Sequence, residues 1–409
     1  MASRHRDGGM KVRIGVLGLG RAFLAMGSSF LDHPDVALAA AADPNPQARG
    51  RFDADFGLPV FETAEELCAS DAVDALYIAS PHQYHCEQVC LAAEHSKHVI
   101  LEKPMALCLE DCDRMVAAAE KAGIVLVVGH THAFDPPLLL ARELIAAGRY
   151  GALRMIHLWT YTDFLYRPRR PEELDTELGG GIVFNQLPHQ VDMIRHLGGG
   201  RLKSIAARLG AWDETRPTEG ASAATFEFED GCFGSMTYSG YAHFDTAEFT
   251  EGVGENGLPS SQQKHAETRK ALTAFSDPEA EARYKQETGY AGRGLPPRDR
   301  AERHQNFGLL IATCDRADLR LLPKGVGVYS SAGFELLPAR GGRGSGNRSG
   351  VIDELVDALR GHYSAVHDGR WAKATLEACL AILDSDKRGE AVHLRHQVAL
   401  RERENIRKT

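Results

Sequence analysis

The sequence has few cysteines, few aromatic residues and no long apolar run. Eight of its 409 residues are Cys, and 7% of all residues are aromatic. No C-x-x-C pattern brings cysteines to the spacing of a zinc site, so we expect no metal and reduced, mostly buried thiols. No segment approaches the ~18 consecutive apolar residues of a membrane-crossing helix, and the polar start MASRHRDGGM has no apolar signal core. These absences predict a cytoplasmic protein.

An excess of positive charge is also missing. The chain has 47 Lys and Arg against 56 Asp and Glu, which gives a formal net charge of −9. This balance argues against nucleic acid or an anionic membrane as the main partner. A hydrophobic content of 43% supplies an ordinary globular core, and the length suits two domains.

The pattern that stands out is KVRIGVLGLGRAF at residues 11–23, an apolar run followed by a glycine-rich turn and a helical pattern. The first glycine allows a tight turn, the second lets the backbone approach phosphates, and the helix N-terminus attracts them. Phe23 occupies the position of the third glycine in the GxGxxG fingerprint, where a small residue is usual. This departure predicts looser packing of the helix against the strand. A plain strand-to-helix turn is the alternative. The residues expected to contact a dinucleotide in this stretch are Gly18, Leu19, Gly20, Arg21, Ala22 and Phe23.

Strand-like and helix-like segments alternate as far as Gly129, which predicts right-handed βαβ units and a parallel sheet. The predicted strands after the first are residues 36–42, 75–79, 98–101 and 124–128. The predicted helices are residues 21–31, 47–56, 83–94 and 109–122.

The second strand ends at Asp43, which lies 25 residues after Gly18. A carboxylate near this position binds the adenosine ribose in dinucleotide enzymes and repels a 2′-phosphate. We therefore expect NAD as cofactor, while Arg49 and Arg51 leave NADP open. The alternative is that Asp43 caps the next helix.

The carboxyl ends of the fourth and fifth predicted strands carry further polar residues, at the sheet edge where ligands bind. Lys103 is a candidate acid or base because burial in a cleft lowers the pKa of an amine; a solvated Glu-Lys-Pro turn is the alternative. The residues expected to contact the cofactor here are Ser80, Pro81, His82, His85, Glu102 and Lys103.

After about residue 134 the pattern changes to strands with few helices between them, which predicts an open, largely antiparallel sheet. We expect a disordered leader at 1–10, a first domain at 11–133, a second at 134–394 with an insertion near 254–305, and a charged tail at 395–409. Strands are predicted at 155–162, 204–212, 223–228, 233–239, 307–313 and 326–330. Helices are predicted at 138–147, 183–197, 262–275, 279–287, 351–359 and 371–385.

The motifs GLG, ADP, SPHQYH, LEKP and GGG…NQLPHQVDMI, in this order, resemble the glucose–fructose oxidoreductase/inositol dehydrogenase (Gfo/Idh/MocA) family. The resemblance implies an N-terminal Rossmann domain, a C-terminal α+β domain and NAD(P)-dependent hydride transfer. The resemblance implies that Lys103 is the catalytic lysine and His189 the catalytic histidine. It also implies a cis peptide bond before Pro104, which would orient the Lys103 side chain. The family pattern often has Asp four residues before that histidine; here it is Asn185, so the proton transfers fall to Lys103 and His189.

Longer stretches, TDFLYRPRRPEELDTELGG, GAWDETRPTEG and SGYAHFD, resemble the phthalate 4,5-cis-dihydrodiol dehydrogenase branch of that family. This resemblance implies oxidation of phthalate 4,5-cis-dihydrodiol to the catechol 4,5-dihydroxyphthalate, a step of bacterial aromatic catabolism. The open sheet and the family together imply a homo-oligomer, a dimer or tetramer.

An acidic cyclic diol is the substrate class that the local residues favour. Three arginines stand within four residues in YRPRRP, and guanidinium groups bind carboxylates bidentately; the acidic residues that follow provide the alternative, a self-neutralised turn. The two histidines of G-H-T-H could face the substrate rather than a metal. The residues expected to contact substrate are His130, His132, Tyr161, Arg167, Arg169, Arg170, Asn185 and His189.

Three other functions stay open. A dehydrogenase of a sugar, glycoside or cyclitol would not need the arginine cluster. A redox-neutral lyase or glycosidase would keep NAD tightly bound through its cycle. An NAD-binding sensor would have no use for Lys103 and His189.

Overall fold

The computed structural model describes residues 11–129, 131–295, 303–305, 307–341 and 348–401. The predicted leader at 1–10 and residues 402–409 of the predicted tail lie outside these ranges. Residues 395–401 are described and form neither helix nor strand. No helix in the described ranges is long and apolar enough to cross a membrane.

The first half of the chain forms a six-stranded parallel sheet in the order β3-β2-β1-β4-β5-β6, which confirms the predicted α/β class. The strands are β1 (Val12–Leu17), β2 (Val36–Ala42), β3 (Val60–Phe61), β4 (Ala75–Ile78), β5 (His98–Glu102) and β6 (Leu126–Gly129). The helices are α1 (Arg21–Asp32), α2 (Pro46–Phe56), α3 (Ala64–Ala69), α4 (His85–Glu94), α5 (Leu109–Ala122) and α6 (Pro136–Ala146).

The second half forms a nine-stranded open sheet in the order β14-β13-β12-β11-β7-β10-β9-β8-β15. Its pairings are antiparallel except for β7 with β10, which run parallel. The strands are β7 (Leu153–Tyr161), β8 (Leu202–Gly210), β9 (Ala221–Phe228), β10 (Phe233–Ser239), β11 (Leu309–Cys314), β12 (Ala317–Leu322), β13 (Gly325–Ser330), β14 (Gly333–Pro338) and β15 (Val392–His393). The open, largely antiparallel sheet predicted from the sequence is therefore confirmed.

The second half also carries helices on one face of this sheet and in the insertion. These are α7 (Gly181–Asn185), α8 (Leu187–Leu197), α9 (Lys264–Leu272), α10 (Pro278–Glu287), α11 (Tyr290–Arg293), α12 (Gly350–Leu359) and α13 (Gly369–Arg388). The single helix predicted at 183–197 is wrong. Gln186 leaves the helical region (φ −120°, ψ −45°) one residue before α8 begins, and Pro188 stands in the first turn of α8, where it needs no hydrogen-bond partner.

The insertion packs against the nucleotide-side helices rather than projecting into solvent. The ring of Tyr290 on α11 meets Phe23 of α1 edge-on, with centroids 4.9 Å apart, and its hydroxyl donates to Asp55 at 3.0 Å. Phe23 is fully buried and also lies 6.0 Å from Phe52 of α2. The large residue in the third fingerprint position thus fills space between α1, α2 and the insertion. The looser packing expected there is not found.

Candidate active site

The turn after β1 has the geometry of a dinucleotide site. Gly18 adopts φ +97°, and a Cβ on it would lie 2.8 Å from the backbone nitrogen of Ser80. A side chain at Gly20 would meet nothing within 4 Å, so open space lies beside the N-terminus of α1. No side chain caps this helix, so the backbone N–H groups of its first turn are available to an anion. The cradle fits the pyrophosphate of NAD.

Two residues predicted to contact the cofactor in this turn serve other purposes. The amide of Leu19 donates to Oδ2 of Asp43 at 2.7 Å, and its side chain is buried. The Phe23 side chain lies in the core, so only its backbone amide faces the open helix end. Arg21 and Ala22 lie in the first turn of α1, where the prediction places the phosphates.

The carboxylate of Asp43 organises the end of β2. Besides the Leu19 amide it accepts the amide of Asn45 at 2.8 Å through its other oxygen. Each carboxylate oxygen has a second acceptor site, so ribose hydroxyls fit here. The arginines that left NADP open are engaged: Arg49 donates to the Asp43 and Pro44 carbonyls, and Arg51 pairs with Asp55 at 2.9 Å.

The turn after β4 is held together by its histidines. His85 is fully buried, and its ring nitrogens lie 3.0 Å and 3.1 Å from the carbonyl oxygens of Pro104 and Ser80. The prediction that His85 contacts cofactor is therefore wrong, because the ring ties this turn to the loop after β5. His82 lies near the cleft, 3.2 Å from the Gly179 carbonyl, and burial, with repulsion from His85 and Lys103, lowers its pKa to about 4. His82 is thus neutral at physiological pH. The hydroxyl of Ser80 donates to Gln88 at 2.5 Å, and Pro81 is half-buried beside it.

Lys103 lies directly after β5 with its amine in the cleft between the two sheets. Nζ donates to the Asn185 carbonyl at 2.7 Å, and the peptide bond to Pro104 is cis, as the family resemblance implied. Burial lowers the pKa of Lys103 to about 8; Arg348 and Arg169 act in the same direction and Glu102 opposes them. A large fraction of Lys103 is therefore a neutral amine, able to accept a proton, at mildly basic pH.

The glycine-rich stretch before α7 holds the partner of Lys103. Gly181 adopts φ +71°, and a Cβ there would lie 2.1 Å from Oε1 of Glu219. The amide nitrogen of Asn185 donates to the carbonyls of Gly179 and Gly181, at 3.0 Å and 2.8 Å. The Asn185 side chain thus braces the stretch, and its backbone carbonyl, not its side chain, meets Lys103.

His189 lies on α8 beside a second histidine. Its ring is 4.9 Å from the ring of His132 and 5.2 Å from that of Phe307, between centroids. Nδ1 of His132 donates to Oδ2 of Asp135 at 2.9 Å, and both residues are buried. The structure therefore brings together His132 and His189, two of the residues predicted to contact substrate. His130 lies outside the described residues.

The arginine loop, residues 163–173, is largely neutralised by this chain's own acids. Arg167 donates to Asp163 at 2.8 Å and to both oxygens of Glu255 at 3.2 Å. Arg170 is half-exposed and pairs with Glu172 at 3.1 Å. These two guanidinium groups already face carboxylates of the chain, which the notion of a free arginine cluster did not include, so they are less available to a substrate carboxylate.

Arg169 differs from its neighbours. Its side chain is buried, stacks over the Phe164 ring at 3.7 Å and donates to the Phe164 carbonyl at 2.6 Å. No carboxylate of the described residues forms an ion pair with it. Burial, with repulsion from Arg21 and Arg167 and opposed by Glu173, lowers its pKa to about 10. A buried guanidinium with no carboxylate within ion-pair distance, and with Glu173 acting on it only from farther away, is a candidate site for an anion.

Tyr161, predicted to line the substrate pocket, lies on the other side of the sheet. Successive side chains of a strand point to opposite faces. Thr160 points into the core, where its hydroxyl accepts a hydrogen bond from Gln190, so Tyr161 points outward and packs 6.1 Å from Phe244. Placing Tyr161 correctly required knowing which residues of β7 face the core, and the sequence pattern left this open.

Several cleft residues were not predicted. Tyr238 of β10 is fully buried and its hydroxyl contacts Thr162 at 2.8 Å and Gln186 at 3.2 Å. Asp135 and Glu255 lie in segments interpreted as a hinge and an insertion. For Asp135 a signal existed, since it stands three residues after His132. Among the described residues, no group of three or more His, Cys, Asp or Glu is arranged to hold a metal ion.

Two family models match the chain. The "Oxidoreductase family, NAD-binding Rossmann fold" model matches residues 12–130, and the "GFO/IDH/MocA C-terminal domain" model matches residues 138–258. The cradle at Gly18 and the open end of α1 fit this NAD-binding assignment.

Relatives and solved structures agree with the models. The 1-carboxy-3-chloro-3,4-dihydroxycyclohexa-1,5-diene dehydrogenase of Comamonas testosteroni is 44% identical over 92% of this chain and 95% of its own length. The myo-inositol 2-dehydrogenase of Thermotoga maritima is 29% identical over 48% of this chain and 58% of its own length. A crystal structure from Bordetella bronchiseptica RB50 has a TM-score of 0.90 and 44% identity, and the match covers 94% of this chain and all of that one. The chain therefore belongs to the Gfo/Idh/MocA family of NAD-dependent oxidoreductases.

Proposed function

We propose that this dehydrogenase oxidises a carboxylated cyclic cis-dihydrodiol to a catechol, with phthalate 4,5-cis-dihydrodiol and 4,5-dihydroxyphthalate as substrate and product. The observation that carries the proposal is Arg169, a buried guanidinium without a carboxylate partner among the described residues. Its charge also contributes to the lowered pKa of Lys103, so the two cations share one part of the cleft. A substrate with a hydroxyl at Lys103 and a carboxylate at Arg169 satisfies both.

The relative from Comamonas testosteroni supports the same substrate class, because its printed name describes a carboxylated dihydroxycyclohexadiene. That match spans nearly the whole of both chains. The printed name contains one carboxyl group, so the second carboxylate of phthalate rests on the sequence resemblance alone.

The chemistry assigned to the chain's own residues is proton removal and orientation. Lys103 in its neutral form accepts the hydroxyl proton, and the Asn185 carbonyl fixes the direction of its amine. His189, four residues after Asn185, is the second acid–base group. Arg169 anchors the carboxylate, and the buried rings of Tyr238 and Phe307 keep water out. Bound NAD, held at Gly18, Gly20 and Asp43, supplies the hydride acceptor.

A second candidate is oxidation of a cyclitol or sugar, favoured by the similarity to inositol dehydrogenases. A neutral polyol offers nothing to Arg169. A redox-neutral reaction and a sensor role lack a supporting contact in the described cleft. The comparison between an acidic diol and a neutral polyol is therefore the informative one.

The test is the rate of NADH formation with phthalate 4,5-cis-dihydrodiol, compared with myo-inositol and a panel of sugars, each with NAD and with NADP. We expect turnover with the dihydrodiol and a preference for NAD. Turnover with polyols alone would overturn the proposal while leaving the cofactor site intact. Tight NAD that survives purification without any net turnover would instead favour the redox-neutral reaction.

We also propose that the enzyme works in the cytoplasm as a homo-oligomer. Each of the eight cysteines is free, which suits a reducing compartment. The outward face of the nine-stranded sheet carries exposed aromatic side chains that a second copy of the chain would cover.

A further inference from the structure

A carboxylate–imidazole pair lies beside His189 and was not expected as a unit. His132 lies on the short helical turn between β6 and α6, Asp135 follows that turn directly, and each residue is only 4% exposed. Nδ1 of His132 lies 2.9 Å from Oδ2 of Asp135. The amide of Gln305 donates to the other oxygen of Asp135. Both carboxylate oxygens are thus held, and the orientation of the pair is fixed.

The pair is packed directly against the candidate catalytic histidine. The rings of His132 and His189 meet edge to face, at an interplanar angle of 82° and with centroids 4.9 Å apart. Phe307 contacts both, at 4.6 Å and 5.2 Å between centroids. The second ring nitrogen of His132, Nε2, makes no hydrogen bond within the described part of the chain. With its hydrogen on Nδ1, His132 presents the Nε2 lone pair as the site that can accept a proton.

Among the described residues, Asp135 is the carboxylate hydrogen-bonded to His132, and Glu255 also acts on this ring electrostatically, since the charge of His132 helps to lower the Glu255 pKa. Asn185, one turn before His189, is neutral and its amide is committed to the Gly179 and Gly181 carbonyls. The cleft already holds the cations Lys103 and Arg169. A further positive charge on a buried imidazole is costly unless an anion faces it. Asp135 is that anion.

We propose that the His132–Asp135 pair, together with His189, takes up the proton that the substrate hydroxyl loses. The step rests on the proposed alcohol oxidation. The C–H hydrogen leaves with its bonding electrons as hydride to the acceptor, and the O–H proton passes through Lys103 to the two imidazoles. The carbon–oxygen bond becomes C=O. The imidazoles then carry one added positive charge opposite Asp135, and the proton returns to solvent after product release.

In this arrangement Asp135 is a positioning residue. It touches neither substrate nor cofactor, but its acceptor oxygen keeps the hydrogen of His132 on Nδ1 and leaves the lone pair on Nε2. Replacing it by Asn removes the negative charge and allows the other tautomer. The expected loss falls on kcat rather than on cofactor binding.

The chain offers a matched control in a second buried histidine–aspartate pair. His33, at the carboxyl end of α1, lies 3.1 Å from Asp353 of α12. This end of α1 is opposite to the glycine-rich turn where the cofactor is expected. Asp353→Asn therefore makes the same chemical change at a comparable depth with no expected effect on kcat.

The test compares Asp135→Asn and Asp353→Asn for kcat, KM, NAD affinity and the ring-nitrogen NMR shifts of His132, assigned with His132→Gln. We expect Asp135→Asn to lower kcat on the order of 10²-fold, with KM and NAD affinity within about twofold. We expect the wild-type enzyme to show the Nδ1–H tautomer of His132 and Asp135→Asn to lose it. Equal kcat in both variants, or the Nε2–H tautomer in wild type, would overturn the proposal.

Failure of the proposed substrate is distinguishable from failure of this pair. If wild type oxidises polyols instead of the dihydrodiol, the same comparison is made with the polyol, because the proton transfer is common to both. The tautomer measurement needs no substrate and is made on the wild-type enzyme, with His132→Gln used only to assign the signals. A wild-type Nε2–H tautomer rejects the pair whatever the substrate is.

Discussion

Lys103 carries an amine whose protonation state decides whether it can act as a base. Burial lowers its pKa to about 8, and an amine accepts a proton only in its neutral form. The neutral fraction grows as pH rises. We therefore predict that kcat/KM increases with pH up to about 8 and then levels off.

The variant that checks this assignment is Lys103→Met, which keeps the bulk of the side chain without the charge. We expect turnover to fall on the order of 10²- to 10⁴-fold, with NAD affinity nearly unchanged. Burial lowers the pKa of Lys103 in the folded state below the ordinary lysine value, so at pH values between the two the unfolded state binds more protons than the folded state. The charged amine therefore destabilises the folded state, and we expect its removal to cause no loss of stability. A pH profile that is flat from pH 6 to 9 in wild type would remove Lys103 from the chemistry.

At the scale of single residues, the sequence predicted those that stand at strand ends. Gly18, Asp43 and Lys103 each follow a strand of the parallel sheet, and the topology brings such positions to one edge. Residues placed by contacts from distant segments were harder to predict. In the sequence, Arg167, Arg169 and Arg170 are equivalent candidates for carboxylate binding. The structure distinguishes them, because Glu255 pairs with Arg167 and Glu172 pairs with Arg170.

At the scale of elements, α10 of the insertion fixes the arginine loop. Glu281 accepts two hydrogen bonds from Arg216, at 2.9 Å and 3.0 Å, and one from the backbone amide of Arg169 at 2.6 Å. Lys285 on the same helix pairs with Glu173. The insertion thus connects α1 and α2 on one side with the proposed carboxylate anchor on the other.

Glu281→Ala tests this connection. Removing one partner of a buried ion pair leaves the other charge uncompensated, so we predict a loss of about 3 kcal/mol or more in the free energy of unfolding. Urea denaturation followed by circular dichroism measures it. Glu279→Ala, an exposed position on the same helix, is the control and should change stability little. Equal stability of the two variants would mean that α10 does not hold the loop.

Element boundaries followed the apolar periodicity where the elements were long. The sequence predicted β2, α5 and β10 with the bounds that the structure has. Short elements escaped prediction: β3 has two residues, and α3 has six. β12 and β14 were missed because the hairpins they form mix charged and apolar residues. The break at Gln186 was missed because the apolar positions on both sides continue one helical pattern.

At the scale of the whole molecule, the nine-stranded sheet leaves one face without covering helices in the described chain. Cross-strand pairing places Phe233 opposite Met155, four register positions along β7 from Trp159, and it places Tyr329 opposite Phe334. Trp159, Phe233, Tyr329 and Phe334 are 47%, 53%, 42% and 58% exposed. An apolar face of this extent fits a second copy of the chain.

Trp159→Asp tests the assembly. A charge at the centre of this face would be buried without a partner in an oligomer, so we predict dissociation to smaller species by light scattering after size-exclusion chromatography. Trp212, an exposed tryptophan at the end of β8 and off the sheet face, is the matched control as Trp212→Asp. Unchanged mass for both variants, or a monomeric wild type, would rule out this interface.

The central claim is that Arg169 selects a carboxylated diol. The most direct measurement is the ratio of kcat/KM for phthalate 4,5-cis-dihydrodiol to that for an uncharged cyclic cis-dihydrodiol, in wild type, Arg169→Met and Arg170→Met. A hydrogen bond to a charged group contributes about 1.5–3 kcal/mol, so we predict a ratio that falls on the order of 10- to 100-fold in Arg169→Met and stays within about twofold in Arg170→Met. A ratio that is equal in all three proteins would contradict carboxylate recognition by Arg169.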